Sequence, residues 1–355
     1  MTLIQKHAAA GAEPLSWSKV TDLHVPQEGD EGFLVFPGAF EPTGELLEMA
    51  KLMRKQALWA HSNGVAVHGT EDADWAVTDG QKNERRFRAH MLQTVNGQLI
   101  VLRAIAKEVM PFASLGIHAE LTRFLLDPDF APNGGLVLIS GSMGDGKSTT
   151  AASLLVQRVT SLGRFALAVE EPPEFALHDI YRSPDGKNGV IIQVPAARDM
   201  LARELRGALR CYPANVRGSM LLVGEVRDAA EAAHVLRASM NGLLVITTIH
   251  AGDVISTLER FHALAAAELG PEMAQSLLGA SMRAVLCQKL SRSRLNVTSL
   301  VSPTATSPAA AVIARGAFRQ LSTEIQRQEA ALKMGGFADL VREMSAPRAS
   351  ERVQR

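Results

Sequence analysis

The chain has 355 residues, which is enough for two domains that each bury a core of their own. Its 37 lysines and arginines balance 37 aspartates and glutamates, so net charge offers no general attraction to nucleic acid or to an anionic membrane. Two cysteines, Cys211 and Cys287, are too few for a disulfide framework or a four-cysteine zinc module. The sequence shows neither a secretory signal nor an apolar run of the roughly 18 residues that a membrane span requires. We therefore expect a cytoplasmic protein without sequence-specific binding of nucleic acid.

The first 115 residues divide into an arm and a small α+β domain. Residues 1–30, rich in Ala, Gly and polar residues, predict a flexible arm. After the strand "FLVF", apolar residues recur at helical spacing over 42–62. Short strands are predicted in "GVAVH", "DWAVTD", "ERRFRAHML" and "QLIVLRAIA", and the Asn-Gly pair of "QTVNG" indicates a hairpin between the last two. The predicted N-terminal domain covers 31–115, and a helix-bearing interdomain linker covers 116–134.

An apolar strand, "GLVLIS", leads directly into "GSMGDGKS" at 141–148, which has the spacing G-x-x-x-x-G-K-[ST] of a phosphate-binding loop. Glycines let the backbone turn so that successive amides converge on one anion, and the helix that follows directs its positive dipole end at the same point. Lys147 then neutralises β- and γ-phosphate charge, and the Ser148 hydroxyl is offered to Mg²⁺. The predicted nucleotide-binding residues of the loop are Gly141, Ser142, Gly144, Asp145, Gly146, Lys147, Ser148 and Thr149.

Buried strands alternate with helices between 135 and 300. The strands are predicted in "LVLIS", "RFALAVEE", "VIIQV", "SMLLVGE" and "LLVITTIH", and further helices over 254–266 and 272–290. This alternation predicts a parallel sheet with helices on both faces. Residues 301–355 form a helical C-terminal region: "SPTATSPAA" is linker-like, an amphipathic helix follows at about 317–333, and disorder is expected past Met344.

Polar clusters follow three of the predicted strands, at the end where open parallel sheets bind ligands. "AVEEPPEF" places Glu170 at the first strand end, "LLVGEVRD" places Glu225 at the second, and "VITTIHAGD" places His250 at the third. Each cluster also has a plain structural interpretation. The first is then a solvated turn, the second supplies a helix N-cap through Asp228, and the histidine is structural. The shared position at strand ends favours a functional site.

The order and spacing of these boxes resemble the type II/type IV secretion and type IV pilus ATPase superfamily. The boxes are "GSMGDGKS", "EEPPEF", "GEVRD" and "TTIHAG", and "RRFRAHMLQTVNGQLIVLRAIAKEVMPFASLGI" is similar to the end of the family's N-terminal domain. The resemblance implies an ATP-hydrolysing homohexamer with a RecA-like P-loop ATPase domain behind a smaller, PAS-like α+β domain. It also implies arginines that reach the nucleotide across a domain or subunit boundary, for which Arg86, Arg88 and Arg103 are the matching candidates.

The resemblance also implies a division of roles among the strand-end residues. Glu170 orients or deprotonates the attacking water, because the family's acidic box places that carboxylate nearest the γ-phosphate. Glu225 holds Mg²⁺ through water together with Ser148, and His250 senses the γ-phosphate. The sequence departs from the family at three points. The spacer "ANVRGSMLLV" between Pro213 and Gly224 is longer than usual and lacks an Asp after Pro213. Leu243 stands where a first histidine is common, and the usual "GR" segment is missing after Gln288.

The function expected from this resemblance is a motor ATPase of a bacterial type IV secretion or conjugation apparatus. It would act at the inner membrane with platform or secretion-channel proteins as partners. The alternative is a type IV pilus retraction ATPase, whose histidine box normally includes the "GH" missing here. Type II secretion and pilus-extension motors usually add a four-cysteine zinc module, which two cysteines cannot build. A RecA-like DNA-translocating protein would be expected to show a basic or aromatic strand-binding surface, and none is obvious in the sequence.

Overall fold

The computed structural model describes residues 17–29, 31–37, 41–62, 72–78, 84–106, 108–171, 173–196, 200–213, 218–292 and 294–346. The chain divides into two compact units, Met1–Lys107 and Glu108–Arg355. The predicted strand "GVAVH" and the tail beyond residue 346 lie outside the described residues. Among the described helices, none combines the length and the apolar character needed to cross a lipid bilayer.

In the described part of the smaller unit, an antiparallel sheet packs against helix α1. Its five strands run in the order β2-β1-β5-β4-β3, and α1 spans Gly44–Ser62. Ala50, Met53 and Ala57 recur at helical spacing along α1 and are buried against the sheet. The turn between β4 and β5 contains Gly97 with a φ of 109°, a conformation that favours glycine. The strands are β1 Asp22–Pro26, β2 Leu34–Phe36, β3 Asp72–Thr78, β4 Glu84–Thr94 and β5 Gly97–Ala104.

The expectation of a flexible arm over 1–30 is wrong for the last third of that range. Residues 22–26 form β1, which pairs with both β2 and β5 inside the sheet. Leu23 and Val25 alternate with polar residues and are fully buried. The short alternating pattern "DLHVP" therefore belongs to the core of the smaller unit, although its surroundings in the sequence resemble an arm.

The larger unit has an eight-stranded sheet in the order β13-β12-β6-β11-β10-β7-β9-β8. The six strands from β12 to β9 are parallel, and β13 and β8 pair antiparallel at the two edges. The strands are β6 Gly135–Gly141, β7 Phe165–Glu170, β8 Asp179–Arg182, β9 Asn188–Pro195, β10 Met220–Glu225, β11 Leu244–His250, β12 Met282–Ser291 and β13 Arg294–Val301. This is the mixed α/β architecture expected from the alternating sequence pattern.

Both faces of the large sheet are buried under helices. Leu136 and Leu138 of β6 pack into one hydrophobic cluster, whereas Val137 and Ile139 pack into another. Because successive side chains of a strand point to opposite faces, this division places a core on each side of the sheet. The helices are α2 Ala119–Leu126, α3 Lys147–Leu162, α4 Leu201–Ala208, α5 Ala229–Met240, α6 Val254–Leu269, α7 Pro271–Ser281, α8 Pro308–Ile313, α9 Ser322–Met334 and α10 Phe337–Ser345.

The segment expected to be an interdomain linker, 116–134, belongs to the larger unit, whose first residue is Glu108. Leu121 and Leu125 of α2 are buried in the same cluster as α3. The buried guanidinium of Arg158 on α3 donates to the carbonyl oxygens of Leu125, Asp127 and Phe130 at 2.5, 3.0 and 3.2 Å. These bonds satisfy the end of α2 and the turn that follows it, so this segment is fixed to the phosphate-loop helix.

One further expectation for the C-terminal third needs correction. The helix expected over 272–290 ends at Ser281, and 282–291 form β12, a buried strand between β6 and β13. A short apolar run such as "AVLC" fits a buried parallel strand as well as a helix, so periodicity alone cannot decide. Helices α9 and α10 pack into the core through Leu332, Phe337 and Met344. Helical structure therefore continues to Ser345.

Candidate functional site

The predicted site residues meet at one edge of the large sheet. Strand β11 lies between β6, which ends in the phosphate loop, and β10, which ends at Glu225. Strand β7 follows β10 in the sheet and ends at Glu170. All four strands are parallel, so their carboxyl ends face the same side. The topology thus brings together three strand-end clusters that are far apart in the sequence.

The glycines of the loop "GSMGDGKS" adopt conformations that other residues rarely reach. Gly141, Gly144 and Gly146 have φ values of 155°, 82° and 80°. A Cβ atom added to Gly141 would lie only 2.5 Å from the carbonyl oxygen of Gln288, so this position also requires glycine for space. Helix α3 begins at Lys147, directly after the loop. The loop therefore has the turn and the helix N-terminus on which phosphate binding depends.

Two contacts fix the Lys147 ammonium at the edge of the large sheet where the parallel strands end. Its Nζ donates to the carbonyl oxygen of Ser142 at 2.9 Å and to Nδ1 of His250 at 3.3 Å. Burial lowers the pKa of Lys147, and the carboxylates of Glu225, Asp145 and Glu174 oppose that effect. The Lys147 amine therefore lies close enough to these three carboxylates to be stabilised in its charged form.

His250 joins Lys147 to Glu225. Its Nε2 lies 3.1 Å from Oε1 of Glu225, and its Nδ1 faces the ammonium of Lys147. Because an ammonium only donates, Nδ1 must accept, so the proton of the neutral ring resides on Nε2 and is donated to Glu225. The second oxygen of Glu225 accepts from Nε of Arg227 at 3.0 Å. Lys147, His250 and Glu225 therefore form a continuous chain of polar contacts.

Glu170 has a different environment from Glu225. It is 5% exposed, and burial is the main reason why its pKa is raised to about 7. The neighbouring Glu174 raises the pKa further, whereas a hydrogen bond from Gln193 lowers it. In that bond, Nε2 of Gln193 donates to Oε2 of Glu170 at 2.6 Å. A carboxyl group with this pKa exists in both protonation states near neutral pH and can accept a proton there.

Three contacts that we did not predict hold Asp145 inside the loop. Its Oδ2 accepts from the Ser142 amide at 2.7 Å, and its Oδ1 accepts from the Leu290 amide at 3.0 Å. Nε2 of Gln288 donates to the Asp145 carbonyl oxygen at 2.5 Å. The backbone bond from Leu290 is the first cause of the lowered pKa of Asp145. Strand β12 therefore fixes the loop from the side opposite to β11.

The oxygen groups of the site fit a magnesium ion held jointly with phosphates. Ser148 and Thr149 lie half-buried in the first turn of α3, and the Glu225 side chain is 20% exposed. Hydroxyl and carboxylate oxygens are the ligands that Mg²⁺ prefers, and it usually keeps several waters. Within the described part of the chain, no group of three or more His, Cys, Asp or Glu residues could hold a metal ion.

The candidate arginines lie on neighbouring strands of the smaller unit. Arg86 and Arg88 belong to β4, and Arg103 belongs to β5, where it pairs in register with Arg88. Nε of Arg103 donates to Oδ1 of Asp22 at 2.7 Å, and the Arg103 side chain is 65% exposed. Their role toward a nucleotide stays a prediction.

The sequence profile of the family described as "Type II/IV secretion system protein" matches residues 72–329. "Type II secretion system protein E" of Pectobacterium carotovorum subsp. carotovorum is 30% identical over 285 residues, which are 78% of this chain and 52% of that protein. "Type IV pilus retractation ATPase PilT" of Pseudomonas aeruginosa is 32% identical over 207 residues, 58% of this chain and 55% of that protein. The chain thus spans about half the length of the curated relatives that it matches.

Two solved structures share the fold. The pilus retraction motor PilT with bound ADP superposes with a TM-score of 0.64 at 20% identity, over 87% of this chain and 86% of that chain. The ATPase DotB of Legionella pneumophila superposes with a TM-score of 0.59 at 19% identity, over 88% and 84%. The prediction of a RecA-like P-loop ATPase fold with a smaller α+β unit is confirmed. Since the family profile covers most of the chain, the protein belongs to the type II/IV secretion system protein family.

Proposed function

We propose that this protein hydrolyses ATP and uses the energy to drive a bacterial secretion or pilus machine. The observation that carries the proposal is the chain from Lys147 through His250 to Glu225, with bonds of 3.3 and 3.1 Å, at the mouth of the phosphate loop. Glu170 ends the next strand of the same sheet edge. The site therefore combines a phosphate cradle, a cation and two carboxylates, which are groups that phosphoryl transfer to water uses.

The loop binds the triphosphate of ATP through its amides, and Lys147 neutralises charge on the β- and γ-phosphates. Mg²⁺ would be held by Ser148 and, through water, by Glu225, and it would offset the charge that develops on the phosphates. A phosphate competes with the Ser142 carbonyl and His250 for the Lys147 ammonium, which now bonds both. His250 is therefore placed to report whether a γ-phosphate is present, as expected from its box.

Glu170 is the proposed base that orients or deprotonates the attacking water. Its pKa of about 7 places its proton exchange near neutral pH, where a general base is most effective. Glu225 is less suited to this role because both of its oxygens already accept hydrogen bonds, from His250 and Arg227. The division between a base and a metal-holding carboxylate follows from these environments.

The motor is proposed to be a ring-shaped homohexamer at the cytoplasmic face of the inner membrane, with platform or secretion-channel proteins as partners. Arg103, together with Arg86 and Arg88, would reach a nucleotide across a domain or subunit boundary. The test mixes Arg103→Ala protein with Lys147→Ala protein. If Arg103 acts between subunits, mixed rings recover part of the turnover that each variant lacks. Rings shown to contain both variants and still inactive would rule out the action in trans.

Type IV secretion or conjugation remains our first choice of machine, and pilus retraction is the alternative. The second is supported by the 32% identity to a protein named as a pilus retraction ATPase. The similarity to proteins named type II secretion system protein E makes protein secretion a third readout to include.

The experiment deletes the gene and complements it with the wild type or with Glu170→Gln. Plasmid or effector transfer, pilus-dependent motility and protein secretion are then scored in parallel. Loss of transfer alone, restored by the wild type and not by Glu170→Gln, supports the first choice. Loss of motility alone selects the alternative. Hydrolysis stimulated by single-stranded DNA and not by membrane platform protein would contradict both and indicate a DNA-translocating protein.

A further inference from the structure

Gln193 lies at the candidate site, and the proposed function gives it no role. It lies on β9, which pairs in parallel with β7, and its Cα is in register with Ala168. From this position its side chain reaches along the strand pair to the carboxyl group of Glu170, with Nε2 at 2.6 Å from Oε2. A bond this short between an amide and a carboxyl oxygen is strongest when the acceptor is ionised.

The amide of Gln193 is fixed in one orientation by the loop that follows Glu170. Its Nε2 also donates to the carbonyl oxygen of Phe175 at 2.8 Å, and its Oε1 accepts from the Leu177 amide at 3.1 Å. Reversing the amide would place oxygen against the Phe175 carbonyl and NH₂ against the Leu177 amide. Both bonds to the loop would be lost, so the loop keeps the donor side of Gln193 turned to Glu170.

Among the residues that the structure describes, the other neighbours of Glu170 offer no such stabilisation. Gly224 of β10 packs against its side chain, since an added Cβ would lie 3.4 Å from Cγ of Glu170, and glycine presents no polar side chain. Glu174 on the following loop is a like charge that disfavours ionisation. The adjacent Glu171 is directed to Arg227, with 3.8 Å between Oε1 and the guanidinium. On the far side of Gln193, its backbone amide donates to Nδ1 of His178 at 3.3 Å.

We propose that Gln193 is the positioning residue for Glu170: its clamped amide orients the carboxyl group and stabilises the ionised form that accepts a proton from water. The catalytic importance of this role rests on the proposed function, in which Glu170 is the base. The orientation and the ionisation of Glu170 can, however, be measured without turnover.

Removing the bond should raise the pKa of Glu170, since the bond favours the charged form and burial and Glu174 oppose it. Gln193→Met keeps the length of the side chain and removes both polar atoms. We expect the pKa of Glu170 to rise by about one unit, roughly a tenfold change in its ionisation constant. Gln193→Glu is the second variant, used if Gln193→Met does not fold. It preserves the shape and introduces a second carboxylate, so the rise should be at least as large.

The measurement is a carboxyl ¹³C NMR titration of protein labelled at glutamate, with the Glu170 signal assigned by its loss in Glu170→Gln. Tyr181→Phe is the matched control. It removes the bond from the Tyr181 hydroxyl to the Leu177 carbonyl at 2.8 Å and so loosens the same loop, while the bond between Gln193 and Glu170 remains. An unchanged pKa of Glu170 in both Gln193 variants would overturn the proposal. So would an equal rise in Tyr181→Phe, because the loop and not the amide would then be responsible.

Measurements of ATP turnover separate a failure of the role of Gln193 from a failure of the proposed function. If Glu170→Gln hydrolyses ATP as fast as the wild type, the catalytic assignment of Glu170 fails, while the titration still decides the role of Gln193. If Glu170 is essential, the acid limb of the kcat profile should move to higher pH in Gln193→Met. Activity lost at pH 7 should then return above pH 9. A uniform loss across all pH values would indicate a merely structural role and contradict the proposal.

Discussion

Glu170 and Glu225 end neighbouring strands of one sheet, and their surroundings are opposite in character. Glu170 is almost fully buried, and its nearest polar partner is the neutral amide of Gln193. Glu225 is more open and lies between the imidazole of His250 and the guanidinium of Arg227. Burial is the main reason why the pKa of Glu170 is raised to about 7.

We propose different roles for the two carboxylates on the basis of this difference. A group that exchanges its proton near neutral pH suits a base. Glu225, whose two oxygens contact His250 and Arg227, is the proposed partner of Mg²⁺ through water. Sequence motifs alone allow either carboxylate to serve as the base, because both follow an apolar strand. Substitutions of each carboxylate and of its partners test this difference separately.

The largest effect is expected from Glu170→Gln. The substitution keeps the shape of the side chain and removes the group that accepts the proton, so turnover should fall by about 10²- to 10⁴-fold. ATP should still bind, because Lys147 and the loop amides are unchanged. Steady-state hydrolysis and nucleotide affinity are measured together, with Glu171→Gln as the neighbouring control. Turnover above about a tenth of the wild type, a loss below ~1.4 kcal/mol, would remove Glu170 from the mechanism.

The same substitution should change how stability depends on pH. The pKa of Glu170 is raised from 4.5 to about 7 in the folded protein, so its neutral form is favoured by folding. Its contribution is complete below pH 4.5 and is lost as the pH rises to 7. At about 1.4 kcal/mol per pH unit, the wild type should lose up to roughly 3 kcal/mol relative to Glu170→Gln over that interval. Urea unfolding of both proteins at pH 5 and pH 8 tests this prediction. If the free energies of unfolding of the two proteins change equally between these pH values, the raised pKa of Glu170 is contradicted.

Lys147→Ala tests the Glu225 side of the comparison. It removes the ammonium group that is hydrogen-bonded to His250. A charge-assisted bond from such a group to phosphate is worth about 1.5 to 3 kcal/mol. ATP affinity should therefore fall by about 10- to 100-fold, and hydrolysis should fall with it. Calorimetric titration with ATP and Mg²⁺ measures the first effect. Unchanged affinity in a folded variant would show that the loop does not bind the triphosphate as proposed.

The smallest effect is expected from Arg227→Gln. The Arg227 side chain is 56% exposed, and its bond to Glu225 is an ion pair open to solvent. Such pairs contribute about 0 to 1 kcal/mol, so the free energy of unfolding should change by no more than that. Urea unfolding in low and high salt measures it. A loss as large as that of a buried pair, about 3 kcal/mol or more, would mean that Glu225 is as isolated from water as Glu170.

The parts of the site that could be predicted from sequence are those whose chemistry is local. The phosphate loop needs glycines, a lysine and a hydroxyl at fixed spacing, and the strand before it is apolar throughout. Glu170, Glu225 and His250 were found because each directly follows an apolar strand. The parallel order of the strands then brings them to one edge.

The supporting residues could not be predicted, because their partners are distant in the chain. Gln193 acts on a residue 23 positions away, and Gln288 reaches Asp145 across 143 positions. Gln288 lies in β12, a segment whose periodicity had indicated a helix. One signal was present: a polar residue interrupts the apolar run "VIIQV" of a strand paired to the acidic box. Such a residue in a buried strand usually has a specific partner.

The dependence of kcat on pH shows whether Glu170 is a buried base with a raised pKa. The base must be ionised to accept a proton, so turnover should decline as the pH falls, with a midpoint near the pKa of about 7. The residual activity of Glu170→Gln should lack this midpoint. If the wild type instead keeps its full turnover down to pH 5, no group with the properties of Glu170 limits hydrolysis, and the account is contradicted.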